Sequence, residues 1–525
     1  MHSSKPGYLS QLYALAQHGA HESLHSVFQE AHTQFFEDDA FLNELGALVL
    51  QFGYVGLARS CFERVLSRNP DDFHALLNLS NVCHSIADTS RALGLIARLM
   101  ELNPNHPVVR RNFLLAQEYD PAIPDAQRFQ YAKDWGRWVI DHAGGSRARP
   151  DLQPRVNRKL RIGYVSADVC QHTVGLFFKD VVTHHNRDQF EIFVYSNSPQ
   201  IDWVTDLIRK HSQFRMIGTL SDEELATQIS HDAIDVLVDL SGHTAGSRVS
   251  AFAYRPAPAM ISWLGYFAST GLSYMDAVLL DAAHCTPETQ SYFTEHIRYI
   301  EPSRFCYQPV SWARDTPVST LPAKTNGYVT FGSFNNTAKL NSKVLLLWAR
   351  LLNAIPDSKL ILKWRTFIDS GYTRTITEFF LQQGITQDRI ELQPASFHAD
   401  LFLAYSQIDI ALDPFPFTGG LTSCEALWMG LPLITLAQDR VVSRQSLSIM
   451  LAMDFTQTLA TSEAHYIQIA QDLAKDLHGL AQLRFSLRNT MLQSPFMDCK
   501  AFTQKLESEY CAVFDEIAAN QKNSH

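Results

Sequence analysis

The residues best suited to chemistry lie in one stretch, IDIALDPFPFTGGLTSCEALWMGLPLITL, residues 408–436. Gly419 and Gly420 would let the backbone approach a ligand closely. Leu421 to Met429 reads as a helix, whose first turn offers free N–H groups and the positive end of the helix dipole to a phosphate. Thr422 and Ser423 add hydroxyl donors to that turn. Glu425, one turn further, could accept hydrogen bonds from ribose hydroxyls, as acidic residues do in dinucleotide folds. These residue types describe a seat for a nucleoside phosphate. A Gly-rich loop that merely turns between strand and helix, with Glu425 as an ordinary first-turn acid favoured by the dipole, fits them equally well.

Such a seat needs a strand before it and a helix after it, and the sequence supplies that pattern repeatedly. From about residue 159 short apolar runs alternate with amphipathic stretches, the signature of parallel sheets with crossover helices. LRIGYVS, FEIFVYS, IDVLVDLS, MISWLGY, AVLLD and IRYIE are the strands expected in a first lobe; YVTFGSF, KLILKW, IELQPA, IDIALD and LPLITLA are those of a second. Open α/β sheets bind ligands beyond the carboxyl ends of their strands, so the active site is expected in the loops there, facing a cleft shared by two lobes. The Gly-, Pro- and Arg-rich stretch 143–158 reads as a linker, and the Pro-rich stretch 313–326 as a hinge crossing. The resulting plan is an all-α domain over 1–142, an N-terminal Rossmann-like lobe over 159–312, a C-terminal Rossmann-like lobe over 327–463, and helices over 464–525 that pack back on the lobes.

The N-terminal domain carries an internal repeat. Leu45 recurs as Leu79, Gly46 as Ser80, Ala58 as Ala92, Phe62 as Ile96 and Pro70 as Pro104, each 34 residues later. That is the tetratricopeptide period, in which small residues let antiparallel helices approach and Asn-Pro closes the second helix. The phase extends upstream to Leu12, Leu24 and Phe28 as a degenerate copy and downstream into VVRRNFLLAQ. Stacked pairs of this kind leave a concave groove suited to an extended peptide or a partner subunit.

Composition narrows the function classes. The chain has 525 residues, 46% hydrophobic and 19% charged, enough for roughly three domains and outside the disordered range. A net charge of -10 argues against a phosphate-backbone binder, so no nucleic-acid partner is expected. The start has no apolar core after a basic stretch, and no apolar run approaches the length of a membrane span. Eight scattered cysteines suggest neither a disulfide framework nor a zinc site, and no carboxylates or histidines fall at metal-ligand spacing. A soluble protein of a reduced, cytoplasmic compartment is expected, without a metal.

Four blocks then fall together: LRIGYVSADVCQH, LVDLSGHTAGSRVSAFAYRPAPAMISWLGYFASTG, VTFGSFNNTAKLNSKVLLLWARLLNAIPDSKLIL, and DPFPFTGGLTSCEALWMGLPLITL followed by SRQS. In order and spacing they resemble the protein O-GlcNAc transferase and SPINDLY family, glycosyltransferase family 41, over about Ala40 to Leu447. The resemblance implies a GT-B catalytic region behind tetratricopeptide repeats. It also implies inverting, metal-independent transfer of a sugar from a nucleoside diphosphate to Ser or Thr of a protein, with UDP-GlcNAc the favoured donor and no cofactor. O-fucosyl transfer from GDP-fucose, N-glucosyl transfer to Asn, and an inactive repeat scaffold are its variants.

The same resemblance assigns residues. Lys339 takes the place of the lysine that neutralises the departing diphosphate, and Asn336 stands where relatives often have a glutamine that contacts the nucleotide. Gly419, Gly420, Leu421, Thr422 and Ser423 form the phosphate turn, with Glu425 at the ribose position. Ser396, Phe397 and His398 match the segment bordering the nucleobase. His172 matches the histidine considered as catalytic base, and His243, directly after a first-lobe strand, is the rival on the acceptor side. Leu421 and Leu401 depart from the family pattern by placing apolar side chains where relatives have hydroxyl or imidazole groups.

Overall fold

A computed structural model describes residues 4–152, 155 and 158–523. The chain opens with eight helices: α1 (Lys5–Gln17), α2 (His21–Gln34), α3 (Asp39–Gln51), α4 (Val55–Arg68), α5 (Phe73–Ser85), α6 (Thr89–Leu102), α7 (Pro107–Glu118) and α8 (Asp125–His142). The starts of α1, α3, α5 and α7 are each 34 residues apart, as are those of α2, α4 and α6. The period is therefore a property of the fold as well as of the sequence. Capping repeats with it: Ser4, Asp38 and Asp72 each accept a hydrogen bond from the first turn of the helix they precede. Side chains of this kind satisfy N–H groups that the helix cannot, worth about 1 kcal/mol each. Burial repeats too, through Leu24, Ala58 and Ala92 and through Phe28, Phe62 and Ile96. A Cβ added at Gly46 would lie 2.7 Å from the Phe62 ring, which explains the small residue on α3.

The first sheet contains β1 (Leu160–Ser166), β2 (Phe190–Ser196), β3 (Gln213–Met216), β4 (Val236–Asp239), β5 (Ala259–Ser262), β6 (Ala277–Leu280) and β7 (His296–Tyr299), all parallel, in the order β3-β2-β1-β4-β5-β6-β7. The second contains β8 (Thr330–Ser333), β9 (Lys359–Lys363), β10 (Ile390–Gln393), β11 (Ile410–Leu412), β12 (Leu433–Leu436) and β13 (Leu459–Ala460), also parallel, in the order β10-β9-β8-β11-β12-β13. Both are doubly wound, and each reverses direction once, between β1 and β4 and between β8 and β11. Every expected strand is present. Two further ones are not apparent in the sequence: β3, a four-residue edge strand with no buried position, and β13, which is two residues long.

The compact units cut the chain differently from its composition. One unit holds 1–120, 312–436 and 458–487, so α1 to α7 go with the second sheet; the other holds 121–311, 437–457 and 488–525, so α8 goes with the first. In the first of these units a single apolar core runs from Leu45 and Phe62 into Phe331, Trp348 and Ile410. The Gly56 N–H also donates to Asp369 Oδ2 at 2.8 Å. In the other unit α8 lies so close that a Cβ at Gly136 would fall 1.8 Å from the Gly271 carbonyl oxygen.

The segment 143–158, expected as a linker, is tied down among its described residues. Arg149 pairs with Asp276 at 2.7 Å, and Arg158 holds Asp235 through two bonds of 2.6 and 2.8 Å. Its arginines anchor it to the first lobe rather than keeping it in solvent. The stretch 313–326 includes a short helix, Ala323–Asn326, and the Trp428 indole donates to Ala313 O at 2.8 Å. The terminal helix Cys499–Asn523 packs on the first lobe, where Glu507 accepts from His185 Nδ1 at 2.9 Å and from Asn186 N at 2.7 Å.

Candidate functional site

The second lobe concentrates its unusual side chains at the point where its strand order reverses, where open sheets of this type bind ligands. The loop after β8 carries Asn335, Asn336 and Lys339, and the loop after β11 carries Asp413 to Gly420. Asn336 caps the single turn Thr337–Lys339, its Oδ1 accepting from Ala338 N at 3.1 Å. That turn carries Lys339 towards the other loop, where Nζ donates to Thr418 O at 2.8 Å and sits 4.4 Å from the centre of the Phe417 ring. Burial pulls the Lys339 ammonium down to about 8, against the opposing pull of Asp413. A cation so poorly solvated gains more than an ordinary lysine when an anion arrives.

The turn itself is held from beneath. Asp413, fully buried at the end of β11, accepts from Gly419 N at 2.7 Å and from Thr435 Oγ1 at 2.6 Å. A Cβ at Gly419 would meet Ser423 Oγ at 2.1 Å, so any side chain there would displace that hydroxyl from the turn. The helix Leu421–Trp428 follows with Gly420 as its N-cap and no side chain bonded there, which suits its first turn to an anion. Thr422 Oγ1 donates to Asn335 Oδ1 at 3.0 Å, tying the two loops to each other. Sequence reasoning passed over Asp413 and Asn335. The strand-terminal carboxylate in IDIALD and the Asn-Asn doublet after YVTFGSF were the available signals.

Glu425, almost fully buried, faces His398 Nε2 at 2.8 Å and the Tyr405 hydroxyl at 3.5 Å. His398 packs edge-on against Trp312 and Phe402. The segment expected to border a base therefore splits: His398 turns inward to the carboxylate, whereas Ser396 is exposed and Phe397 is 86% exposed. Leu401 and Leu421 are both part-buried.

On the first lobe, His172 follows β1 and caps the helix α9 (Thr173–His184). Its Nδ1 lies 3.4 Å from Val174 N and 3.5 Å from Asp168 Oδ1, and its ring is half exposed. Burial raises the Asp168 carboxyl above its ordinary value, with His172 opposing that shift. Nδ1 accepts from Val174 N in that cap, so Asp168 would orient the imidazole as a general base only in the tautomer that turns an Nδ1–H to the carboxylate and leaves Nε2 as the acceptor. Asp168 was the residue missed here; its spacing of four from His172 was the signal. His243, the rival, is completely buried between Trp135 and Tyr266, its Nε2 2.9 Å from Thr270 O. In that placement the side chain packs Trp135 of α8 against the loop that carries Tyr266.

Residues 142–308 and 319–506 match the profile of Glycosyl transferase family 41. The chain belongs to that family. Among curated relatives it is 34% identical over 421 residues to the probable UDP-N-acetylglucosamine–peptide N-acetylglucosaminyltransferase SPINDLY of Petunia hybrida, covering 79% of this chain and 45% of that one. The SPINDLY protein of Arabidopsis thaliana is likewise 34% identical, over 416 residues. The chain thus spans about half the length of the curated relatives it matches. Its fold is also that of a lysine-to-methionine mutant of the Thermobaculum terrenum O-GlcNAc transferase, with a TM-score of 0.87, 30% identity, and coverage of 99% of this chain and 100% of that chain. This family 41 protein is accordingly of the GT-B class, with helical repeats ahead of two Rossmann-like lobes. Among its described residues no helix is long and apolar enough to cross a membrane, and no group of three or more His, Cys, Asp or Glu side chains is placed to hold a metal ion.

Proposed function

We propose that this chain transfers GlcNAc from UDP-GlcNAc to a Ser or Thr hydroxyl of a protein acceptor, with inversion at the sugar carbon and without a metal. The observation that carries the reading is the meeting of a poorly solvated lysine, Lys339, with Thr418 at the head of the Gly-rich turn, just ahead of the N-terminus of the helix Leu421–Trp428, at the reversal point of the second sheet. A diphosphate leaving group develops negative charge as its bond to the sugar breaks. Lys339 and the first-turn N–H groups are the donors that would stabilise that charge, joined by the Thr422 hydroxyl if it exchanges its bond to Asn335 for one to the phosphate. Glu425 would take the ribose hydroxyls, oriented by His398 and Tyr405.

On the acceptor side, the hydroxyl oxygen would form the new bond to the sugar carbon while the bond to the β-phosphate oxygen breaks. Its proton would pass to His172 and UDP would leave. Asp168 favours the imidazolium that results. The helical repeats fit an extended acceptor segment.

The test is transfer of labelled sugar to a protein acceptor from a panel including UDP-GlcNAc and GDP-fucose. UDP-GlcNAc should serve as donor, Lys339→Met should abolish transfer, and excess EDTA should leave it unchanged. Transfer that survives Lys339→Met would overturn the role of that lysine; transfer from GDP-fucose alone would overturn the donor; loss of transfer in EDTA would overturn metal independence.

A further inference from the structure

The lysine that the proposed function places at the donor diphosphate is braced by the helical repeats. His84 and Ser85 form the last turn of α5. Ser85 O accepts a hydrogen bond of 2.7 Å from Thr337 Oγ1, which also lies 2.8 Å from Thr366 Oγ1, and Thr337 opens the single turn that ends on Lys339. The neighbouring His84 packs edge-on to Tyr119, just past α7, with ring centres 4.3 Å apart. Tyr119 in turn stacks on Phe417 at 4.6 Å and 29°. Phe417 is the ring over which the Lys339 ammonium sits, and it precedes Thr418, whose carbonyl that ammonium bonds. One helix end therefore grips both the turn bearing Lys339 and the loop that receives it.

We infer that Tyr119 is a positioning residue for donor binding, holding Phe417 and through it Lys339, so that the repeat module forms part of the diphosphate site. Tyr119 itself need touch no reacting atom. The inference rests on Lys339 serving the diphosphate, and the measurement separates the two.

The measurement is the affinity of the full chain for UDP and for uridine by titration calorimetry. An aromatic stack is worth enough that Tyr119→Leu should weaken UDP about fivefold. Uridine, which has no phosphate, should change by less than about twofold. Tyr119→Phe, which keeps the ring, should bind both as the wild type does. Thr337→Val, which loosens the other grip, should show the same phosphate-specific loss and serves where Tyr119→Leu does not fold. UDP binding unchanged in these variants, or lost in step with uridine, would overturn the inference. Lys339→Met binding UDP as tightly as the wild type would overturn the reading beneath it, as would a wild-type chain that binds no UDP. Weak UDP binding by Lys339→Met with normal binding by Tyr119→Leu would overturn the positioning role alone.

Discussion

Lys339 combines a charge with surroundings that disfavour it. Burial lowers its ammonium to about 8, so without a ligand the cation is present below that pH and is lost as pH rises through it. If the cation is what binds the donor diphosphate, kcat/KM for the donor should decline on the alkaline side with a midpoint near about 8, well below the range of an ordinary lysine. A profile flat through about pH 9 would contradict the assignment. His172 makes a different demand. Its replacement by Ala should lower kcat by about a hundredfold or more while leaving UDP affinity intact, because a general base acts in the transition state and not on the donor. Equal loss of UDP binding would place His172 on the donor side instead. At this scale the sequence was partly legible. The glycines and hydroxyls of the turn are recognisable by type, but the lysine and the histidine were visible only through their resemblance to relatives. Asp413, Asn335 and Asp168 act by holding other groups, and a holding role leaves no mark on residue type. Burial, which no local motif reports, separates His243 from His172.

Strands and helices were the more legible level, because short apolar runs and a 34-residue repeat follow directly from how chains bury apolar surface. What escaped was short or polar, as with β3 and β13, or was held by side-chain pairs that composition disguises, as with the arginines of 143–158. Two predictions belong here. Asp413→Ala removes the acceptor for both Gly419 N–H and Thr435 Oγ1 at a buried position, so it should cost about 1–3 kcal/mol in chemical denaturation and weaken UDP. Unchanged UDP affinity would show that the turn keeps its shape without this brace. Gly46→Val puts a branched side chain against the Phe62 ring, and overpacking of this kind costs about 1–3 kcal/mol. Denaturation at the wild-type midpoint would mean that α3 and α4 can separate.

For the whole molecule, the two compact units divide the residues of the proposed site. One contains the helical repeats α1 to α7, Lys339, the Gly419–Ser423 turn and Glu425; the other contains α8, His172 and Asp168. The residues proposed to hold the donor thus belong to the same compact unit as the repeats, although more than 200 residues of chain separate the end of α7 from Lys339. A ligand that binds only the native state stabilises it, so UDP at about a hundredfold excess over Kd should add about 2.7 kcal/mol and raise the melting temperature, an effect that Lys339→Met should largely remove. The central claim is that donor phosphates lie between Lys339 and the turn Gly419–Ser423. A crystal structure of the chain with UDP tests it most directly. The account predicts diphosphate oxygens within hydrogen-bond distance of Lys339 Nζ and of the N–H groups at the start of the helix Leu421–Trp428. UDP bound with its diphosphate away from both would contradict it.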